Sequence, residues 1–262
     1  MDTDAVLSLL VEVADEVINP RFRALSEEQV AEKNPGDLVT VADREAEVLI
    51  TRALRAAYAD AVVLGEEAYA TDPTLKDAYR GAEHAFTVDP VDGTRNFVHG
   101  SPDHAVMVSE QRLGETVRVW IWQPQHQVSY VAERGAGAFR NGDRLTTPAP
   151  DEGPSTWRAR TSRRAWIGQT FGPLGPLELT WVSCGIDYPH LAEGDADVLV
   201  YTGTHPWDHA PGGLLLSEAG GFLGLLEGGA YRATDPEPRG LVAAVSREVY
   251  DEAQRLLNLD VR

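Results

Sequence analysis

The stretch HAFTVDPVDGTRNFVHG, residues 84–100, decides how this chain is read. Ala85, Phe86 and Val88 form the apolar run of a buried strand, and the run stops at Asp89. Pro90 has no N–H for a sheet ladder, so the strand is expected to end or turn sharply there. Asp89 and Asp92 then project from the strand's end, followed by Gly93-Thr94. Glycine lets a backbone approach a ligand, and the N–H groups that open the following turn or short helix attract anions. Carboxylates beside such amides make chemical sense when a divalent cation lies between the acids and a phosphate. Read by itself, D-x-x-D-G-T is also a polar turn, with Asp closing an Asx-turn and Gly at positive φ. The rest of the chain decides between the two.

The 262 residues suit one large domain or two closely fused halves. With 43% hydrophobic and 24% charged residues the composition is that of a soluble globular protein. A net charge of −18 repels nucleic acid and anionic membranes, which argues against partners of either kind. Solvated acidic faces account for most of that excess, and a few acids remain available to gather around cations. One cysteine, Cys184, leaves no intrachain disulfide and fits a reducing, cytoplasmic setting. No apolar run reaches the length of a membrane span, and the acidic start does not read as a signal peptide.

Upstream of the central stretch, residues 4–19 carry Val6, Leu7, Leu10, Val13, Ala14 and Val17 at helical spacing, with Pro20 as the stop. Residues 32–37 read as a loop and 38–42 as a short extended arm. Asp43 precedes a second amphipathic helix with Ala46, Leu49, Ile50, Ala53, Leu54 and Ala57 on one face. Taken singly, Asp43 is an ordinary capping or first-turn acid. Residues 61–64 form a short strand that runs into Gly65-Glu66-Glu67, and strand ends are where open α/β sheets place ligands. Residues 71–82 read as a polar connection.

Downstream, residues 104–110, 116–122 and 127–133 alternate as consecutive strands, and Asn141-Gly142 is a hairpin signal. A largely antiparallel sheet follows from these. Residues 146–156 carry three prolines and no hydrophobic pattern, which divides the chain into an α+β half, 1–147, and an α/β half, 148–262. In the second half, helices are expected at 183–192 and 207–219, strands at 196–201, 222–226 and 241–245, and a final helix holds Val249, Ala253, Leu256 and Leu257. Asp208, in His205-Pro206-Trp207-Asp208-His209, is the second acidic anchor, although N-terminal helix capping explains it equally well. His205 and His209 have the spacing of zinc ligands on a helix, but Pro206 and the lack of a third ligand count against zinc.

These pieces together resemble the inositol monophosphatase family. The resemblance is carried by Gly36-Asp37-Leu38-Val39-Thr40 with Asp43, Gly65-Glu66-Glu67, Asp89-Pro90-Val91-Asp92-Gly93-Thr94-Arg95-Asn96-Phe97, Trp207-Asp208 and Glu218-Ala219-Gly220-Gly221, in the family's order and spacing. It implies a layered α-β-α-β-α sandwich, a Mg²⁺-dependent, lithium-sensitive phosphomonoesterase and commonly a homodimer. Carried over by position, Glu66, Asp89 and the Val91 carbonyl would hold one metal. Asp89, Asp92 and Asp208 would hold a second, and Mn²⁺ would substitute. Thr94 backed by Asp43 would orient or deprotonate the attacking water, with Glu66 acting through the metal. The Gly93 and Thr94 amides would bind phosphate, and Lys33 matches a family lysine near the metals. All-oxygen ligands of this kind suit Mg²⁺ or Mn²⁺.

The alcohol pocket departs from the family pattern. Inositol-preferring members resemble one another in an acid seven positions before the second-half metal aspartate, and here Tyr201 stands there. The usual Gly-Ser-Ala-Ala start of a helix appears as Val182-Ser183-Cys184-Gly185, with Cys184 outside the acidic motifs. The resemblance implies that Asp92, Gly93, Thr94, Tyr201, Cys184 and Lys33 bind the substrate. An inositol phosphate is the default substrate. Histidinol phosphate, a sugar bisphosphate and 3′-phosphoadenosine 5′-phosphate stay open on the same scaffold, as does a non-catalytic ligand sensor or protein-binding module.

Overall fold

Residue-level packing explains the architecture of the computed structural model, which describes residues 1–34, 36–150, 153–236 and 238–259. Pro35, in the expected loop, and residues 151–152, in the expected boundary segment, lie outside the described residues. Helix α1 (Thr3–Val13) passes into a π-type turn at Ala14–Ile18 and a 3₁₀ turn at Asn19–Arg21, so Pro20 sits within the last turn. A hairpin of β1 (Val30–Asn34) and β2 (Asp37–Thr40) leads into α2 (Val41–Ala57). Thr40 Oγ1 accepts the Ala42 N–H, and Asp43 Oδ2 accepts the Thr40 N–H at 2.9 Å, a capping box that starts α2 two residues before Asp43.

Next come β3 (Val62–Gly65), α3 (Glu66–Thr71) and α4 (Leu75–Gly81). The expected polar connection is therefore mostly helix, because buried Tyr79 anchors α4 within an otherwise hydrophilic sequence. Strand β4 (His84–Asp92) does not stop at Asp89. It continues through Pro90 by a bulge: Asp89 pairs with Met107 and Asp92 with Ala105, three steps on β4 against two on β5 (Ala105–Arg112). The extra residue resets the pleat, so two acids three apart reach one region from the same strand. Gly93 follows at φ +82 and starts the short α5 (Thr94–Val98).

Strands β6 (Glu115–Gln123), β7 (Val128–Glu133), β8 (Gly137–Arg140) and β9 (Asp143–Leu145) complete a seven-stranded sheet in order β3-β4-β5-β6-β7-β8-β9. Only the β3–β4 pair is parallel among its described pairings. At the β8–β9 turn Asn141 and Gly142 both take positive φ, as a two-residue hairpin loop requires. Strands β10 (Ala159–Thr161), β11 (Glu178–Leu179), β12 (Val198–Tyr201), β13 (Phe222–Leu225) and β14 (Leu241–Ala244) build a mixed sheet in order β11-β10-β12-β14-β13. Helices α6 (Cys184–Glu193), α7 (Pro206–Ala219) and α8 (Arg247–Leu259) belong to this part of the chain.

Side-chain alternation sets the layers. Val106, Val108, Trp120 and Trp122 point to one face of the large sheet and bury with α1 and α2. Ala105, Met107, Val119 and Ile121 point to the other and share a core with α6, α7, the five-stranded sheet and α8. Since α6 and α7 also contact the small sheet, the stack runs α-β-α-β-α, the expected sandwich. No described helix is long and apolar enough to cross a membrane.

Candidate functional site

Two elements bring the three acids together. Asp89 and Asp92 come from the bulged end of β4, and Asp208 from the first turn of α7. Each offers a carboxylate oxygen, and these oxygens lie within 4.8 Å of one another. Burial is the main reason that Asp89, Asp92 and Asp208 are all pushed up from the ordinary carboxylate range, with the charge of Glu66 next for Asp89 and Asp208. Asp89 Oδ1 is buried without a hydrogen-bond partner among the described residues. An orphaned buried oxygen beside two further carboxylates fits a hard divalent cation, whose ligands are oxygens.

Asp92 is fastened from across the molecule. Ser183 Oγ donates to its Oδ2, the Gly185 N–H donates to the same oxygen at 2.7 Å, and the Cys184 N–H reaches Oδ1 at 3.1 Å. Those hydrogen bonds oppose the upward push of burial. A side chain at Gly93 would put Cβ 2.9 Å from Ser183 Cβ, so the glycine is needed for this approach as well as for its φ. Cys184, outside the acidic motifs in sequence, lines a cavity of about 230 Å³ with Asp92, Ser183, Asp187, Tyr201, Asp208 and others, beside the acids where a substrate-binding residue is expected. Position along the chain separates it from the acids, whereas in the fold α6 begins against the end of β4. Burial, then the charges of Asp208 and Asp92, push the Cys184 thiol well up from its ordinary value.

Thr94 Oγ1 lies 3.0 Å from Asp43 Oδ1 and 3.0 Å from the Val91 carbonyl. Asp43 is buried, its other oxygen accepts the Thr40 hydroxyl at 2.5 Å, and burial pushes its carboxyl up to about 7. Glu66 lies outside the Asp trio: its Oε1 is 2.6 Å from Lys33 Nζ, which also reaches Glu67 Oε1 at 2.8 Å. Burial would lower the Lys33 ammonium, but the two glutamates outweigh it and hold it charged.

Tyr201 is buried, and its hydroxyl donates to Asp187 Oδ2 at 3.2 Å while Asp187 Oδ1 accepts the Trp181 N–H at 2.7 Å. The zinc spacing that Pro206 counted against finds no shared helix face. His205 precedes α7, and buried His209 has Nδ1 2.9 Å from the Tyr188 hydroxyl and Nε2 2.9 Å from the Gly203 carbonyl.

Two contributors escaped the sequence reading. Glu47 Oε2 accepts the Glu67 N–H at 2.7 Å and Oε1 the Ala68 N–H at 2.8 Å. Its signal was available, because Asp43, Glu47, Ile50 and Leu54 share the buried face of α2 and two acids there are unusual. Ser183 carried no comparable signal.

Fold and site together define a layered α/β protein with a buried carboxylate centre where the end of β4 meets the first turn of α7. The sequence profile of the inositol monophosphatase family matches residues 2–259. An inositol-1-monophosphatase of Mesorhizobium japonicum is 33% identical over 241 residues, covering 87% of this chain and 88% of that protein. The Nus factor SuhB of Pseudomonas aeruginosa is 32% identical over 226 residues, covering 80% of each. The Thermotoga maritima IMPase superposes with a TM-score of 0.81 at 24% identity, over 98% of this chain and 97% of that one. A Ca-bound IMPase family protein from Staphylococcus aureus reaches 0.81 at 20% identity, over 97% and 94%. This chain belongs to the inositol monophosphatase family.

Proposed function

We propose that the chain hydrolyses a small phosphomonoester in a Mg²⁺-dependent reaction, with Mn²⁺ able to substitute. The convergence of Asp89, Asp92 and Asp208 within 4.8 Å carries this reading. Asp89, Asp92 and Asp208 would hold one divalent cation, and Glu66 with Asp89 and the Val91 carbonyl another. Such cations supply Lewis acidity to a phosphoryl oxygen and a lowered pKa to a nearby water. Asp43 accepts the Thr94 proton, which leaves the lone pairs of Thr94 Oγ1 to orient that water by accepting one of its hydrogens. With its carboxyl near 7, Asp43 can also take a proton in the working range. The Gly93 and Thr94 amides face the phosphate in this scheme, and Lys33 balances Glu66 and Glu67. Water attacks the phosphorus directly in this scheme, with no phosphoenzyme on Cys184.

The alcohol side is set by Tyr201, whose proton is committed to Asp187. A polyol therefore meets no carboxylate acceptor at that position, and Cys184 adds only a weakly polar wall. Inositol phosphate is the first substrate to try, followed by histidinol phosphate, a sugar bisphosphate and 3′-phosphoadenosine 5′-phosphate. We place the enzyme in the cytoplasm as a homodimer. The relatives named Nus factor SuhB favour a second reading, a protein-binding role on the same scaffold.

Phosphate release across this panel, with Mg²⁺ and then with a chelator, tests the proposal. Turnover should need the cation, fall with Li⁺, and drop about 100-fold or more in Asp92→Asn, the scale of removing one preorganised electrostatic partner. No release from any member, or full activity in Asp92→Asn, would reject it.

A further inference from the structure

Helix α3 begins with Glu66, and its N-cap is Gly65, which has no side chain to satisfy the first-turn amides. Glu47 does so from another helix. Its two oxygens take the Glu67 and Ala68 N–H groups at 2.7 and 2.8 Å, and it is only 6% exposed. The carboxylate lies so close under the β3–α3 junction that a Cβ on Gly65 would sit 2.2 Å from Glu47 Cδ and 2.4 and 2.5 Å from its oxygens. Gly65 has φ −93, open to any residue, so the need for glycine comes from Glu47 and not from the backbone angle. One turn earlier on the same face of α2, Asp43 holds Thr94. A single helix face thus fixes both the Thr94 hydroxyl and the turn that carries Glu66.

We propose that Glu47 is a positioning residue for divalent-cation binding: by clamping the first turn of α3 it sets the place of Glu66, and Gly65 is small to admit it. This rests on the assignment of Glu66 as a metal ligand. The alternative is that Glu47 only stabilises the fold.

Mn²⁺ binding to the purified full chain, followed by the loss of its free-ion spin-resonance signal, separates the two. Glu47→Gln and Glu47→Ala should weaken Mn²⁺ by about tenfold or more, the loss expected when a group supporting a metal ligand is removed. Turnover, where measured, should recover as Mg²⁺ is raised. Gly65→Ala should weaken Mn²⁺ similarly in the native background. In the Glu47→Ala background it should add little, because the colliding carboxylate is gone. Folded Glu47 variants that bind Mn²⁺ like the native chain would overturn the inference, as would additive effects in that cycle. Should the native chain bind no Mn²⁺, the metal-centre reading itself fails, and this outcome is distinct from the others. If Glu47→Ala does not fold, the same test runs on Gly65→Ala and on Glu47→Gln, which keeps the volume and one acceptor.

Discussion

Asp89 Oδ1 has no hydrogen-bond partner among the described residues, and beyond its burial Glu66, Asp92, Asp208 and Asp43 all raise the cost of its charge. Replacing it by Asn keeps the shape and removes an acid that the metal-free cavity must hold either charged or protonated, each at a cost. Asp89→Asn should therefore raise the melting temperature of the metal-free protein by about 2–4 °C, roughly 1 kcal/mol at this chain length. The same variant should lose the stabilisation that Mg²⁺ gives the native chain. Melting curves with Mg²⁺ and with chelator read both effects, and a metal-free variant less stable than native would contradict the argument. Asp89, Asp92 and Thr94 were legible because one contiguous motif carries them. Glu47 shows its burial by its place on the face of α2, but neither its partner 20 positions away nor that of Ser183, 91 away, lies within the span of periodicity.

At the scale of elements, α7 is positioned by a contact that leaves no room. A Cβ at Gly212 would fall 2.1 Å from Tyr188 Cδ2, and the Tyr188 hydroxyl reaches back to His209 Nδ1, beside Asp208. Overpacking of this kind costs about 1–3 kcal/mol. Gly212→Ala should lower the melting temperature by several degrees and weaken the response to Mg²⁺ as well, since Asp208 moves with the helix. An unchanged Mg²⁺ response in a destabilised variant would show that α7 yields without shifting its first turn. Helix α2 was readable because its burial repeats at a helical interval, α7 because Gly220 ends an apolar run of helical length, β5 to β7 as apolar runs of strand length, and the Asn141-Gly142 hairpin by its turn residues. Strands β10 and β11 span three and two residues, too few to show alternation, and α4 hides one buried tyrosine in a polar run. The bulge in β4 was masked by its proline, which reads as a stop until the pairing with β5 is known.

For the whole molecule, the acids of the site set how stability answers to pH. Asp43 is raised to about 7, and Asp89, Asp92 and Asp208 are raised too, in each case first by burial. Between about pH 4, where aspartates of the unfolded chain ionise, and pH 7, the folded metal-free protein holds protons that the unfolded chain has lost. Stability from these groups is therefore greatest at low pH and falls as pH rises, by up to about 1.4 kcal/mol per unit for each such proton. A divalent cation reverses the sign, because it binds the deprotonated acids and so binds better as pH rises. At a fixed Mg²⁺ concentration of about 100 times the dissociation constant at pH 8, binding adds roughly 2.7 kcal/mol, or about 5–10 °C in melting temperature. At pH 5 the same Mg²⁺ should add less than about 2 °C. With a net charge of −18 the chain also gains from unspecific screening, so Asp89→Asn at equal ionic strength serves as the blank. Melting curves at pH 5, 6, 7 and 8, with Mg²⁺ and with chelator, decide the matter. A Mg²⁺ shift of equal size at both ends of that range, or one shared by Asp89→Asn, would mean that these buried acids do not hold the cation.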